Sequence, residues 1–142
     1  MHDNIHTYAI QINPNSNPGR IKFGRTNNVE NRLSQFRTSC PNARKVYSLD
    51  EDAEASVFAA LQIEDWKCIG GEVWEIPEGY KTDDKSILSA VLEVMMLALK
   101  LSLYESHKRI KNLRRQSAQY RANLLKWLRR KNELEKQVGK HD

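Results

Sequence analysis

The chain has 142 residues, 29% of them charged and 39% hydrophobic, with a net charge of +5, enough for one ordinary domain with a modest core and an appendage. Cys40 and Cys68 are too few for a disulfide scaffold or a zinc cluster and suit a reducing, cytoplasmic setting. The opening residues carry an acid and no apolar run, which argues against a secretory signal. Residues 87–103, the most apolar stretch, contain Glu93 and Lys100 and fall short of about 18 uncharged residues, so no membrane span is expected.

In chain order, residues 5–12 place Tyr8, Ile10 and Ile12 on one face, the period-2 mark of a strand. The run 13–19 is dense in Asn, Pro and Gly and leads into a second strand at 20–24, so the two make an antiparallel hairpin that brings Tyr8 near Lys22. Gly24 ends that strand as a residue able to take backbone angles closed to others. A helix capped by Asn27 or Asn28 follows, with Val29, Leu33 and Phe36 on one side, and Cys40-Pro41-Asn42 stops it. Residues 44–49 form a third strand. Asp50, Glu51 and Asp52 stand where a helix dipole favours acids, ahead of a helix over 53–63 with Val57, Phe58 and Leu61 inward. After Gly70-Gly71, residues 72–76 make a short strand with Trp74 and Ile76 opposite Val73 and Glu75. The expected fold is α+β: a small, mostly antiparallel sheet with flanking helices over 1–80, then a helical region over 81–142.

That second region divides into an apolar helix at 86–103, buried against other elements or a second subunit, and a basic helix at 105–138. In the latter, Ile110, Leu113, Ser117, Tyr120, Leu124, Trp127, Lys131, Leu134 and Val138 keep a 3,4 spacing, the heptad seam of a coiled coil or helical hairpin. The net charge belongs there. Residues 1–104 hold 11 Lys and Arg against 14 Asp and Glu, whereas residues 105–142 hold 12 against 4. Arg109, Arg114, Arg115, Arg121, Arg129 and Arg130, with Lys108, Lys111 and Lys126, surround the seam. They suit phosphates of a nucleic acid, or they keep a homo-oligomeric coiled coil soluble; the two uses are compatible.

One junction concentrates cations. Lys22 and Arg25 flank Gly24, and Arg32 follows on the first turns of the next helix, where an anion would also meet helix N–H groups. Taken with Thr7-Tyr8-Ala9, Lys22-Phe23-Gly24-Arg25-Thr26, Arg32, Glu54 and Gly71-Glu72-Val73-Trp74, the first 76 residues resemble the GIY-YIG nuclease superfamily, and within it the phage-type branch whose second motif reads Lys-Ile-Gly-Lys-Thr. The likeness covers a little over half the chain. It departs from the pattern at Thr7 and Ala9 in the first motif and at Phe58, where this branch often carries histidine.

The resemblance implies an endonuclease that hydrolyses nucleic-acid phosphodiesters, DNA favoured over RNA, with one Mg²⁺ or Mn²⁺ held by Glu54. Arg32 would clamp a phosphate oxygen, Arg25 would contact nucleic acid, and Tyr8 would orient or deprotonate the attacking water, its phenolate favoured by the Lys22 ammonium. Each residue also has a plainer use. Tyr8 packs in a sheet, Glu54 complements a helix dipole, and Arg32 pairs with Glu30 or Asp50. Glu72 is a second metal ligand, a partner for a core arginine or a strand residue, the structural uses being favoured. Tyr47 and Trp74 read as core. His2, His6, His107 and His141 show no ligand spacing. The alternative to an enzyme is a non-catalytic nucleic-acid-binding or scaffold protein that dimerises through its C-terminal helices.

Overall fold

The computed structural model describes residues 4–139, so His2 and His141 lie outside the described residues. Five strands, β1 (His6–Gln11), β2 (Arg20–Thr26), β3 (Arg44–Leu49), β4 (Lys67–Gly70) and β5 (Val73–Glu75), form one antiparallel sheet in the order β3-β1-β2-β5-β4. The helices α1 (Val29–Ser39), α2 (Glu54–Ile63) and α3 (Asp84–Gly139) complete the α+β fold.

The turn-rich run does join β1 to β2, in a register that sets Tyr8 opposite Gly24 and Ile10 opposite Lys22. Alternation along the central strand then sorts its side chains. Tyr8 and Ile10 face α1, under Leu33, Val29 and Phe36. Ala9, with Ile21 and Phe23 of β2, faces the other way, onto Val57 and Leu61 of α2 and Ile87, Val91, Val94 and Met95 of α3. The buried row on α3 (Ile87, Ala90, Val91, Val94, Met95, Ala98) has the three-four spacing of one helical face.

Three features differ from the expected layout. β4 is an additional strand; all four of its residues are exposed on the sheet edge, so no buried alternation marks it. The helical region is one helix rather than two, because no proline or glycine interrupts residues 84–138. The chain divides after Leu103 rather than at 80, since the first twenty residues of α3 supply part of the core under the sheet. The same segment contains an 18-residue window of mean hydropathy 1.8, apolar and long enough to cross a bilayer by length and composition alone; here its buried row packs on strands. From Tyr104 a second unit begins, and every described side chain in it is exposed.

Helix starts fix the site. Asn28 caps α1, its side-chain oxygen accepting from the Asn31 N–H at 3.0 Å. α2 has no capping side chain of its own. Instead the buried Thr7 hydroxyl of β1 accepts from the Ala53 N–H at 2.8 Å and donates to the Glu51 carbonyl at 2.7 Å. The first helical residue, Glu54, is thereby tied to the strand that carries Tyr8.

Candidate active site

Tyr8, Arg25, Thr26, Arg32, Gln35, Glu54 and Glu72 line an open depression of about 490 Å³. They come from β1, β2, α1, the start of α2 and the residue before β5. The Tyr8 ring is buried, 1% exposed, with its hydroxyl at the depression. That hydroxyl accepts from Arg32 Nε at 3.5 Å, which leaves its own proton to be donated outward. Arg32 also donates from Nη1 to Gln35 Oε1 at 2.9 Å.

The expected use of Gly24 is corrected here. β2 continues past it to Thr26, and the positive-φ glycines among the described residues are Gly71 and Gly79. What Gly24 supplies is room. A Cβ there would stand 2.5 Å from Tyr8 Oη, 2.7 Å from Tyr8 Cζ and 3.0 Å from Glu72 Oε2. The same distances hold the phenol oxygen and the carboxylate oxygen within about 5.5 Å of each other. Glu72 is anchored by its backbone, its carbonyl accepting from the Phe23 N–H at 3.1 Å, and its side chain forms no ion pair among the described residues.

The three cations of the junction part company. Arg25 is taken by carboxylates, with Nη1 at 3.0 Å from Asp52 Oδ2 and Nε at 4.0 Å from Glu54 Oε1. Lys22 shares the α1 face with Tyr8, but its Nζ lies over the Phe36 ring, 5.2 Å from the centroid, and it does not line the depression. The Arg32 guanidinium sits against the same ring at 4.7 Å, and Phe36 meets Tyr8 edge to face at 6.2 Å. Phe36 thus holds Arg32 and the phenol in place through cation–π and edge-on contacts. Neither carboxylate suggested for Arg32 reaches it: Glu30 pairs with Lys45 and Asp50 with His6.

Burial pushes the Tyr8 phenol above its ordinary 10.0; the Arg32 hydrogen bond and charge pull against this, while Glu72 and Glu54 add to the rise. Tyr8 therefore stays protonated at neutral pH, and the expected phenolate beside Lys22 is corrected to a neutral hydroxyl beside Arg32. Glu54 is raised above 4.5, first by burial and then by the charge of Glu72, against the pull of Arg25.

No three His, Cys, Asp or Glu come together among the described residues, so a cation here has Glu54 and Glu72 as its candidate carboxylates. The pair fits Mg²⁺, which needs only one or two carboxylates beside water and phosphate oxygens, and the repulsion that raises Glu54 is what a divalent ion would relieve.

Sequence reasoning missed Thr7 and Phe36, whose work is to place other side chains, and set Glu72 aside as structural. Its place beside Gly71 at a strand start was the available signal. Arg109, Arg114, Arg115, Arg121, Arg129 and Arg130 lie in the second unit, exposed. Comparison of the chain with protein-family models, with curated proteins and with solved structures finds no match.

Proposed function

We propose that the N-terminal unit is a metal-dependent endonuclease of GIY-YIG type, hydrolysing nucleic-acid phosphodiesters, DNA in preference to RNA. The observation that carries the proposal is the convergence of a buried phenol, a guanidinium with no carboxylate partner among the described residues and two carboxylates on one open depression. An open site of that shape suits a polymer backbone better than a small molecule, which prefers an enclosed, mainly apolar cleft.

In this reading the N–H groups of Arg32 that Tyr8 and Gln35 leave unused grip a non-bridging phosphate oxygen. Tyr8 donates its proton as a hydrogen bond to the attacking water or the phosphate, and fixes the line of attack. With the phenol neutral, the proton acceptor is a carboxylate, and Glu72, which faces the phenol, takes the water proton as the new P–O bond forms and the bond to the sugar oxygen breaks. The departing oxygen is protonated from solvent. Glu54 and Glu72 would hold Mg²⁺ or Mn²⁺, which when bound supplies charge stabilisation to the phosphate and the leaving oxygen.

The test is incubation of the purified protein with single- and double-stranded DNA and RNA, with Mg²⁺, with Mn²⁺ and with a chelator. Cleavage is expected with either metal and not with the chelator. Arg32→Ala should lower it by roughly 10²–10³-fold, the usual loss when one charge-stabilising donor is removed, and Glu54→Ala at least as much, while binding persists. Cleavage surviving both substitutions would remove the site assignment. Binding without cleavage under any metal would favour the scaffold alternative.

A further inference from the structure

We propose that residues 104–139 pair with the same segment of a second copy of this chain as an antiparallel two-stranded coiled coil. The unit is helical throughout its described length, and its seam side chains are exposed: Ile110, Leu113, Tyr120, Trp127 and Leu134 are 50–72% exposed. An apolar row left in water, here interrupted by Ser117 and Lys131, is a surface that soluble chains cover, and most helical stability in proteins comes from packing an amphipathic face. The seam positions alternate as a (Ile110, Ser117, Leu124, Lys131, Val138) and d (Leu113, Tyr120, Trp127, Leu134).

Charge and size together choose the orientation. In a parallel, in-register pair each a residue meets itself, so Lys131 faces the partner's Lys131 inside the seam. The flanking g and e positions then set Arg109 against the partner's Arg114. Two like-charge contacts follow, one of them partly desolvated.

Turning one helix round removes the one inside the seam. Ile110 then meets the partner's Leu134, Leu113 the partner's Lys131, and Tyr120 the partner's Leu124. Ser117, the smallest seam residue, faces the partner's Trp127, the largest. The Lys131 ammonium, 5.5 Å from its own Trp127 ring, sits at the seam margin with its stem as cover. On the flanks Arg114 faces the partner's Glu135 and Arg109 the partner's Arg130, one attractive and one like pair, as the parallel arrangement has in Arg130 with the partner's Glu135 and Arg109 with the partner's Arg114, so the seam decides the orientation. The column opposite the seam (Lys108, Arg115, Arg129, Lys136) stays outward and basic.

The experiment uses the full chain with Cys40→Ser and Cys68→Ser, sedimented with and without Leu124→Asp, and spin-labelled at Asn112→Cys. The wild-type seam should sediment as a dimer at tens of micromolar. Leu124→Asp should raise the dissociation constant roughly a hundredfold or more by placing a charge in the seam. Antiparallel pairing sets position 112 level with the partner's 132, so the labels should lie at least about 30 Å apart, twenty residues at about 1.5 Å each. A label distance under about 20 Å would mean parallel pairing and would overturn the proposal. A chain monomeric at these concentrations would do so too, including one that binds DNA through this helix as a monomer.

Discussion

In the N-terminal unit each cation of the junction has an address. Arg25 reaches Asp52 and Glu54, Arg32 reaches Tyr8 and Gln35, and Lys22 lies over Phe36. Between 104 and 139 no Lys or Arg pairs with a carboxylate among the described residues, and its one cation contact is Lys131 on Trp127. The first unit thus converts sequence into a site by folding distant residues onto one another, so a small change at one position moves several side chains. The second keeps its pattern in one dimension, and its described side-chain contacts run along its own helix, Lys131 on Trp127 and Gln119 to Asn123.

The sharpest way to expose that difference is Gly24→Ala. The new methyl would fall 2.5 Å from Tyr8 Oη, and because the ring is buried it has nowhere to retreat without disturbing Phe36 and Leu33. Overpacking of this kind costs about 1–3 kcal/mol, and displacing the phenol should lower cleavage about 100-fold, the scale of a 1 Å misplacement. Thermal unfolding and cleavage rates would show both losses. Arg115→Ala, in the exposed unit, should leave unfolding of the N-terminal unit within about 0.5 kcal/mol of wild type. Equal responses to the two substitutions would erase the contrast.

Lys22 tests the contrast more gently. As an ammonium over the Phe36 ring it contributes about 0.5–1 kcal/mol, so Lys22→Met should cost that much stability and lower cleavage only severalfold, through a looser Arg32. A drop of the size expected for Arg32→Ala would restore Lys22 to the chemistry and require it to leave Phe36 when substrate binds.

These corrections show where the sequence stops being legible. Period-2 alternation and helix spacing located β1, β2, α1, α2 and β5, because each buries one face and so writes that face into the chain; Tyr47 of β3, expected in the core, is instead 37% exposed. β4 buries nothing, and Lys67–Gly70 carries no such mark. The long helix read as two because composition changes at 104, although no residue there breaks a helix. At the site, strand register tells which residues share a face, and Tyr8 and Lys22 do; it does not tell where a long side chain comes to rest, and Phe36 decided that. Thr7 and Glu72 act across elements, and the need for them appears only when β1, α2 and the approach to β5 are adjacent.

The carboxylate pair makes a smaller, pH-dependent prediction. Burial and Glu72 hold the proton affinity of Glu54 above its ordinary value of 4.5, so between that value and the raised one the folded state binds more proton than the unfolded state. The stability contributed by protonated Glu54 is full below about pH 4.5 and falls as pH climbs through the raised value. Glu54→Gln should flatten this fall, leaving the metal-free variant at neutral pH slightly more stable than wild type. Mg²⁺ should raise the melting temperature of wild type and not of the variant. A wild-type melting temperature that rises across that window would mean the two carboxylates do not repel.

The smallest effect belongs to the end of α2, remote in role from the chemistry. Asp65 has φ 62°, the left-handed conformation of a helix C-terminal cap. Around it Trp66 N–H bonds to the Leu61 carbonyl at 2.9 Å and Asp65 N–H to the Gln62 carbonyl at 3.2 Å, the paired closure that usually has glycine at this position. An aspartate tolerates these angles at a cost that glycine avoids, and its side chain makes no hydrogen bond among the described residues that would be lost. Asp65→Gly should therefore stabilise the N-terminal unit by about 0.5 kcal/mol, less than the full strain because glycine also loosens the unfolded chain. Chemical denaturation should show a later midpoint at unchanged slope; an earlier midpoint would mean that Asp65 has a role its geometry does not display.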